Sequence, residues 1–214
     1  MTADTLKQQL REIRNSLDKD HAVRLHRAIS WLRCAERYSA DDLDVAFVAL
    51  WISFNACYGV EDPAHLDMDE RTRFNTFAEK LCLVDNAQRI HTLLWMRYSQ
   101  FVRMLIDNHW VYGPYWAAVR AGRDDWQASF EQNRKLALRA LADNDTPRLL
   151  SIILDRLYVL RNQMLHGGAT YQSTLNRDQV RDSVRLLWEF MPVCIELMFT
   201  PGDWGAVYYP IVEA

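Results

Sequence analysis

The sequence predicts an all-α protein, and three observations carry that expectation. Apolar residues recur at three- and four-residue steps through most of the chain, while strand-like alternation is nearly absent. Glycine and proline number 7 and 6 in 214 residues, below the ordinary usage of about 7% and 5%, so the turns that many short strands need are missing. The breaks in the apolar pattern fall where helix starts and stops are expected.

The elements follow in order. A short helix near residues 4–17 precedes one over about 21–38, with Asp20 as its expected N-cap. The segment SADD offers Ser39 as N-cap, with Asp42 three residues on, for a helix over about 40–58. GVEDPAHLD reads as a loop, and helices near 68–83, 87–108 and 123–142 follow, broken by WVYGPYW and AGRDD. Thr146 as N-cap, Pro147 at the first helical position and Gly167-Gly168 as the stop delimit a helix over about 147–166. Asn176, with Gln179 three residues later, opens a last helix whose apolar stripe runs to about Met198. The tail TPGDWGAVYYPIVEA carries turn residues and an aromatic, β-branched run, which suits an extended segment packed on the helices. No repeat, low-complexity tract or composition shift marks a boundary, so the expectation is one helical domain over residues 1–214.

Composition narrows the function. With 25 Lys+Arg against 28 Asp+Glu the formal charge is −3, which excludes binding by bulk charge. Half the residues are hydrophobic, enough for a core without disulfide or metal staples. Cys34, Cys57, Cys82 and Cys194 form no C-x-x-C pair and read as thiols of a reducing compartment. The start MTADTLKQQLREIRN lacks a signal-peptide pattern, and Val45–Val60 is too short for a membrane span and holds Ser53 and Asn55, so the expectation is a cytoplasmic protein with no membrane partner. P-loop, dinucleotide, zinc-protease and nucleophile-elbow motifs are absent, and neither a cofactor nor a metal is expected. Of six histidines, His21 and His26 are badly spaced for chelation and read as surface residues.

Only His166 stands among residues that make a case for chemistry. On a wheel of 100° per residue, Leu150, Ile153, Leu154, Leu160 and Met164 fall within about 60° of Leu157, and Arg161 falls inside that stripe. A guanidinium is always charged, so one in an apolar stripe must meet an anion, a carboxylate or an interface cleft. His166 follows five residues later, about 7 to 8 Å along the axis. A fixed cation beside a titratable imidazole suits phosphodiester chemistry, the histidine moving a proton and the arginine holding the phosphate. One histidine serves as only one of acid and base, so the full pair needs a second copy, as a two-fold dimer supplies. From Arg148 to Arg185 there are six arginines against three aspartates, a local excess that a phosphate ligand or a solvated helix face explains equally.

The segment LYVLRNQMLHGG, an apolar helix running into Arg-Asn, three further residues and His-Gly, resembles the signature of HEPN domains, in which Arg and His stand four to six residues apart with a polar residue often following the Arg. LWISFNACYG, with aromatic residues around Asn55, is similar to the helix beside that motif in many members. The resemblance covers about residues 20–60 and 146–198. It implies a HEPN-like helical bundle with a helical insertion over about 67–143 and a C-terminal extension over 199–214. It also implies a homodimer that joins two Arg and His pairs in one cleft. For many members the activity is a metal-independent endoribonuclease that leaves 2′,3′-cyclic phosphate and 5′-hydroxyl ends on RNA. Arg161 then holds the phosphate, His166 moves the proton, and Asn162 orients groups in the cleft. Asn55 is either a supporting residue or a cap or satisfied core amide. The setting it implies is a toxin–antitoxin or antiphage defence system, with an antitoxin or regulatory protein as a further partner. The toxin subgroup with a tyrosine two residues after the histidine differs here, where Gly168 stands and Tyr171 is out of place. The alternative is a non-catalytic HEPN module that binds a nucleotide or a protein. The aromatic residues Trp110, Tyr112, Tyr115 and Trp116 either stack RNA bases or pack as a core turn.

Overall fold

Among the described residues the chain forms ten α-helices: α1 (Ala3–Ile13), α2 (Lys19–Tyr38), α3 (Leu43–Tyr58), α4 (Glu70–Val84), α5 (Arg89–Thr92), α6 (Ser99–Asp107), α7 (Gly113–Arg120), α8 (Gln127–Ala142), α9 (Thr146–Leu165) and α10 (Arg177–Leu197). The computed structural model describes residues 1–59, 70–174 and 176–207. It is all-α and 77% helical, and none of its described helices is long and apolar enough to cross a membrane. Two compact units divide the chain, one of residues 1–85 with 183–214 and one of residues 86–182.

In the first unit α2 and α3 form a hairpin. Asp18, not Asp20, caps α2 by accepting the His21 N–H at 2.8 Å, which leaves the Asp20 carboxylate to accept the Val207 N–H at 3.1 Å. Asp42, not Ser39, caps α3, because its carboxylate reaches the Asp44 and Val45 N–H groups together. Ser39 ends α2 instead. Leu25, Ala28, Ile29, Leu32 and Ala35 form the buried stripe of α2. The apolar α3 is buried on most sides, and its fully buried Ser53 hydroxyl donates to the Ala28 carbonyl at 2.7 Å. Phe54 anchors a ring cluster with Trp51, Tyr58, Phe77 and Phe190.

The tail up to Val207 lies against α2, and its last residues fall outside the described ones. Arg24, fully buried, donates to the Cys57, Gly205 and Ala206 carbonyls at 2.8–3.0 Å, so carbonyl dipoles replace its lost water. His21 is also buried, 3% exposed, with its ring 6.1 Å from that of Trp204. The expected surface position fails because Trp204 of the tail covers it, whereas His26 is exposed as expected. Cys57 and Cys194 are buried, and Cys34 and Cys82 are half-buried free thiols.

The second unit is built on α9. The helix expected over 87–108 is interrupted: α5 passes into a π-turn at Leu93–Arg97, where the Tyr98 N–H reaches the Leu93 carbonyl at 2.9 Å, and α6 restarts at Ser99. The WVYGPYW break overlaps a 3-10 turn at His109–Val111 and the first half of α7, which begins at Gly113-Pro114. Asp145, not Thr146, caps α9 by accepting the Arg148 N–H at 3.1 Å. Its left-handed neighbour Asn144 turns the chain from α8. Leu150, Ile153, Leu154, Leu157 and Leu160 are buried along α9 as the wheel predicts, and Leu149, outside the predicted stripe, is buried beside them.

Candidate active site

α9 ends where the sequence says it should. Leu165 is its last helical residue, His166 is the C-cap with its N–H on the Asn162 carbonyl at 3.0 Å, and Gly167 follows at φ +70°, a left-handed position that favours glycine. Gly168 has its own reason: a Cβ there would stand 3.0 Å from the Gln163 carbonyl oxygen. The tight return of the chain over the helix end means that any side chain here needs the Gln163 backbone to give by a few tenths of an ångström.

Arg161 is half-buried rather than sealed in the core, because the apolar stripe fades in the last turn, where Met164 is half-buried as well. Its guanidinium donates to Asn162 Oδ1 at 2.7 Å and lies 5.6 Å from the centre of the Tyr158 ring. Asn162 and Tyr158 hold the guanidinium beside the helix end. His166 is exposed, and its ring has no hydrogen bond to a described residue. The two functional groups lie on one helix, five residues and about 7.5 Å of axial rise apart. The arrangement offers a positioned cation and a solvent-facing imidazole.

Gln163 organises this helix end. Its Nε2 donates to the Trp110 carbonyl at 2.6 Å, and its Oε1 accepts from Asn176 Nδ2 at 3.2 Å, so one amide ties α9 to the aromatic turn and to the start of α10. The sequence marks Gln163 only as a polar residue one turn before His166. The Trp110 carbonyl also accepts from Trp116 Nε1 at 2.7 Å. Tyr112 is buried, Tyr115 and Trp116 are half-buried and packed edge-on, and Trp110 is 46% exposed. Most of this cluster is therefore structural packing.

The buried arginine of α9 is Arg156, 1% exposed. Its guanidinium lies 4.6 Å from the Tyr112 ring centre and 5.5 Å from that of Phe130, and it donates to Asn133 Oδ1 at 2.7 Å. The wheel places Arg156 one step outside the stripe, and only the aromatic residues that the fold brings over it explain its burial.

Asn55 belongs to the first unit, and Arg161, Asn162 and His166 to the second. The Tyr58 hydroxyl lies 2.7 Å from both Asn55 Oδ1 and Glu70 Oε1, and its single proton is shared between those oxygens. Asn55 is thus a bonded amide of a helix end, and Gly59 beside it has no room for a Cβ, which would stand 2.8 Å from the Asn55 carbonyl. No group of three or more His, Cys, Asp or Glu side chains among the described residues is placed to hold a metal ion.

No protein-family model, curated protein or solved structure matches this chain. The site is therefore read from its own residues and from the local motif they form.

Proposed function

We propose that the chain is a metal-independent endoribonuclease of HEPN type, active in the cytoplasm as a homodimer whose cleft combines two copies of the Arg161 and His166 pair. The observation that carries this reading is the exposed, unengaged imidazole of His166 on the same helix end as a guanidinium held by Asn162 and Tyr158. A solvent-facing imidazole is placed to pass a proton to or from a bound substrate, and a fixed guanidinium matches phosphate oxygens. In the proposed reaction the ribose 2′-oxygen attacks the adjacent phosphorus while its proton passes to one imidazole. The P–O5′ bond breaks, and the departing oxygen takes a proton from the other imidazole. Cyclic 2′,3′-phosphate and 5′-hydroxyl ends result, and Arg161 stabilises the charge that builds on the phosphoryl oxygens. A toxin or antiphage role, held in check by an antitoxin or regulatory protein, fits an enzyme whose substrate is the cell's RNA.

The test is incubation of the purified chain with mixed RNA in excess EDTA, with mapping of the product ends. Cleavage by the parent with cyclic-phosphate ends, and none by His166→Ala or Arg161→Ala, is the expected result. Equal cleavage by parent and variants, or none by either, overturns it and leaves the nucleotide-binding or protein-binding module as the reading.

A further inference from the structure

A second site stands in the first unit, independent of the Arg161 and His166 reading. A cleft of about 580 Å³ is lined by Arg27 and Trp31 of α2, by Ile52, Asn55 and Ala56 of α3, and by Glu70 and Arg73 of α4. Its volume lies within the range of small-molecule sites, roughly 300 to 1,000 Å³. Helical spacing explains how the walls form. Arg27 and Trp31 are four apart, Ile52, Asn55 and Ala56 share one face of α3, and Glu70 and Arg73 are three apart.

Among the described residues, the charges of this cleft are unbalanced. Arg27 and Arg73 are both half-buried, and neither guanidinium has a hydrogen bond or ion pair to a described residue. Glu70, the one carboxylate among the described residues of the lining, already takes the Tyr58 hydroxyl. Two half-buried arginines in one cleft, on a chain of net charge −3, call for an anion from outside. Together they present about ten N–H donors and no acceptor. A carboxylate has two oxygens to offer, whereas a phosphate monoester has three and carries roughly −1.5 to −2 charges. Inorganic phosphate alone leaves most of the volume empty. Trp31 is 40% exposed, and beside Ile52 and Ala56 it gives that remaining space an aromatic and apolar wall.

We propose that this cleft binds a phosphate monoester carried on a planar ring, the phosphate between Arg27 and Arg73 and the ring against Trp31. The test is calorimetric titration of the full chain with phenyl phosphate, adenosine 5′-monophosphate and inorganic phosphate. Phenyl phosphate is expected to saturate one site per chain, about ten-fold tighter than inorganic phosphate, the gain coming from the buried ring. Tighter binding of the nucleotide than of phenyl phosphate identifies a nucleotide as the ligand; equal binding identifies a simple aryl phosphate. Arg27→Gln and Arg73→Gln each weaken binding by about ten-fold or more, Arg27→Lys keeps part of it, and Trp31→Ala brings phenyl phosphate down to the level of inorganic phosphate. His166→Ala leaves all three titrations unchanged, so this proposal survives failure of the ribonuclease reading. No saturable heat, arginine variants that bind like the parent while melting like it, or loss of binding in His166→Ala overturns it.

Discussion

Two arginines one and a half turns apart on α9 carry opposite burdens. Arg156 is sealed between Tyr112 and Phe130 and holds Asn133, while Arg161 is half-buried at the helix end. Truncating Arg156 removes a stacked guanidinium and leaves a void and an unmatched amide, so Arg156→Ala is expected to cost about 3 kcal/mol. Arg156→Lys recovers little, because an ammonium cannot stack as a plane. Arg161→Ala is expected to cost below about 1 kcal/mol and to abolish cleavage. Denaturant melts beside the RNA assay separate the two. His21 adds a pH prediction. Burial pushes its imidazole below the ordinary value of 6.5, against the raising effects of the Met198 backbone hydrogen bond and of Asp18, and with the lowering effects of Arg24 and Lys80. The unfolded ring takes its proton near 6.5 and the folded ring only at lower pH, so the unfolded state binds more protons between the two values. Stability therefore falls as pH drops below about 6.5, levels off beneath the folded value, and is unaffected by this group at higher pH. Melting midpoints between about pH 5 and 8 for the parent and His21→Gln check it; the acid-side slope is smaller in the variant.

At the scale of elements, α9 is held at both ends by single residues. Asp145→Ala removes the carboxylate on the Arg148 N–H and is expected to cost about 1 kcal/mol. Gly167→Ala forces a methyl group into a left-handed backbone at φ +70° and costs a similar amount, about 1 kcal/mol. Each lowers the melting midpoint by about 2–4 °C. Only the Gly167 change is expected to slow cleavage as well, because it adjoins His166. The same helix shows what a sequence can tell. Its apolar stripe, proline near the start and paired glycines at the end fix its length and buried face, since these depend on neighbours within one turn. The choice of Asp145 over Thr146 as cap depends on which side chain the incoming chain aims at the free N–H groups. Likewise, α7 hides in an aromatic stretch because eight residues show too little periodicity to be seen. Arg156 and His21 are buried by partners far along the chain, Tyr112 and Phe130 in one case and Trp204 in the other. For the candidate site, Arg161, Asn162 and His166 are local and legible, whereas the Gln163 tie to Trp110 joins residues 53 positions apart and carries no local signal. Asn55 lies in the first unit, where its amide oxygen meets the Tyr58 hydroxyl three residues on.

At the scale of the whole molecule, the proposed chemistry asks for more than one chain. A single His166 supplies one proton transfer, and the cyclisation needs two. A cleft shared by two copies contains two arginines and two histidines, which makes a prediction that a one-chain site does not share. Arg161→Ala and His166→Ala are each expected to be inactive as homodimers, the first with two histidines and no arginine, the second the reverse. Unfolded together and refolded as a mixture, half of the dimers that form at random contain one of each chain, and such a dimer retains one arginine and one histidine in its cleft. The one imidazole makes one of the two proton transfers and water makes the other slowly, so the mixture is expected to regain measurable cleavage, well below that of the parent, at the concentration where light scattering finds a dimer. A wholly one-chain site gives no rescue at any mixing ratio, because every chain in the mixture lacks one of its two groups. Dimers that show no rescue would therefore point to a cleft assembled from one motif and a different second group, and a monomer at micromolar concentration would remove the shared cleft altogether.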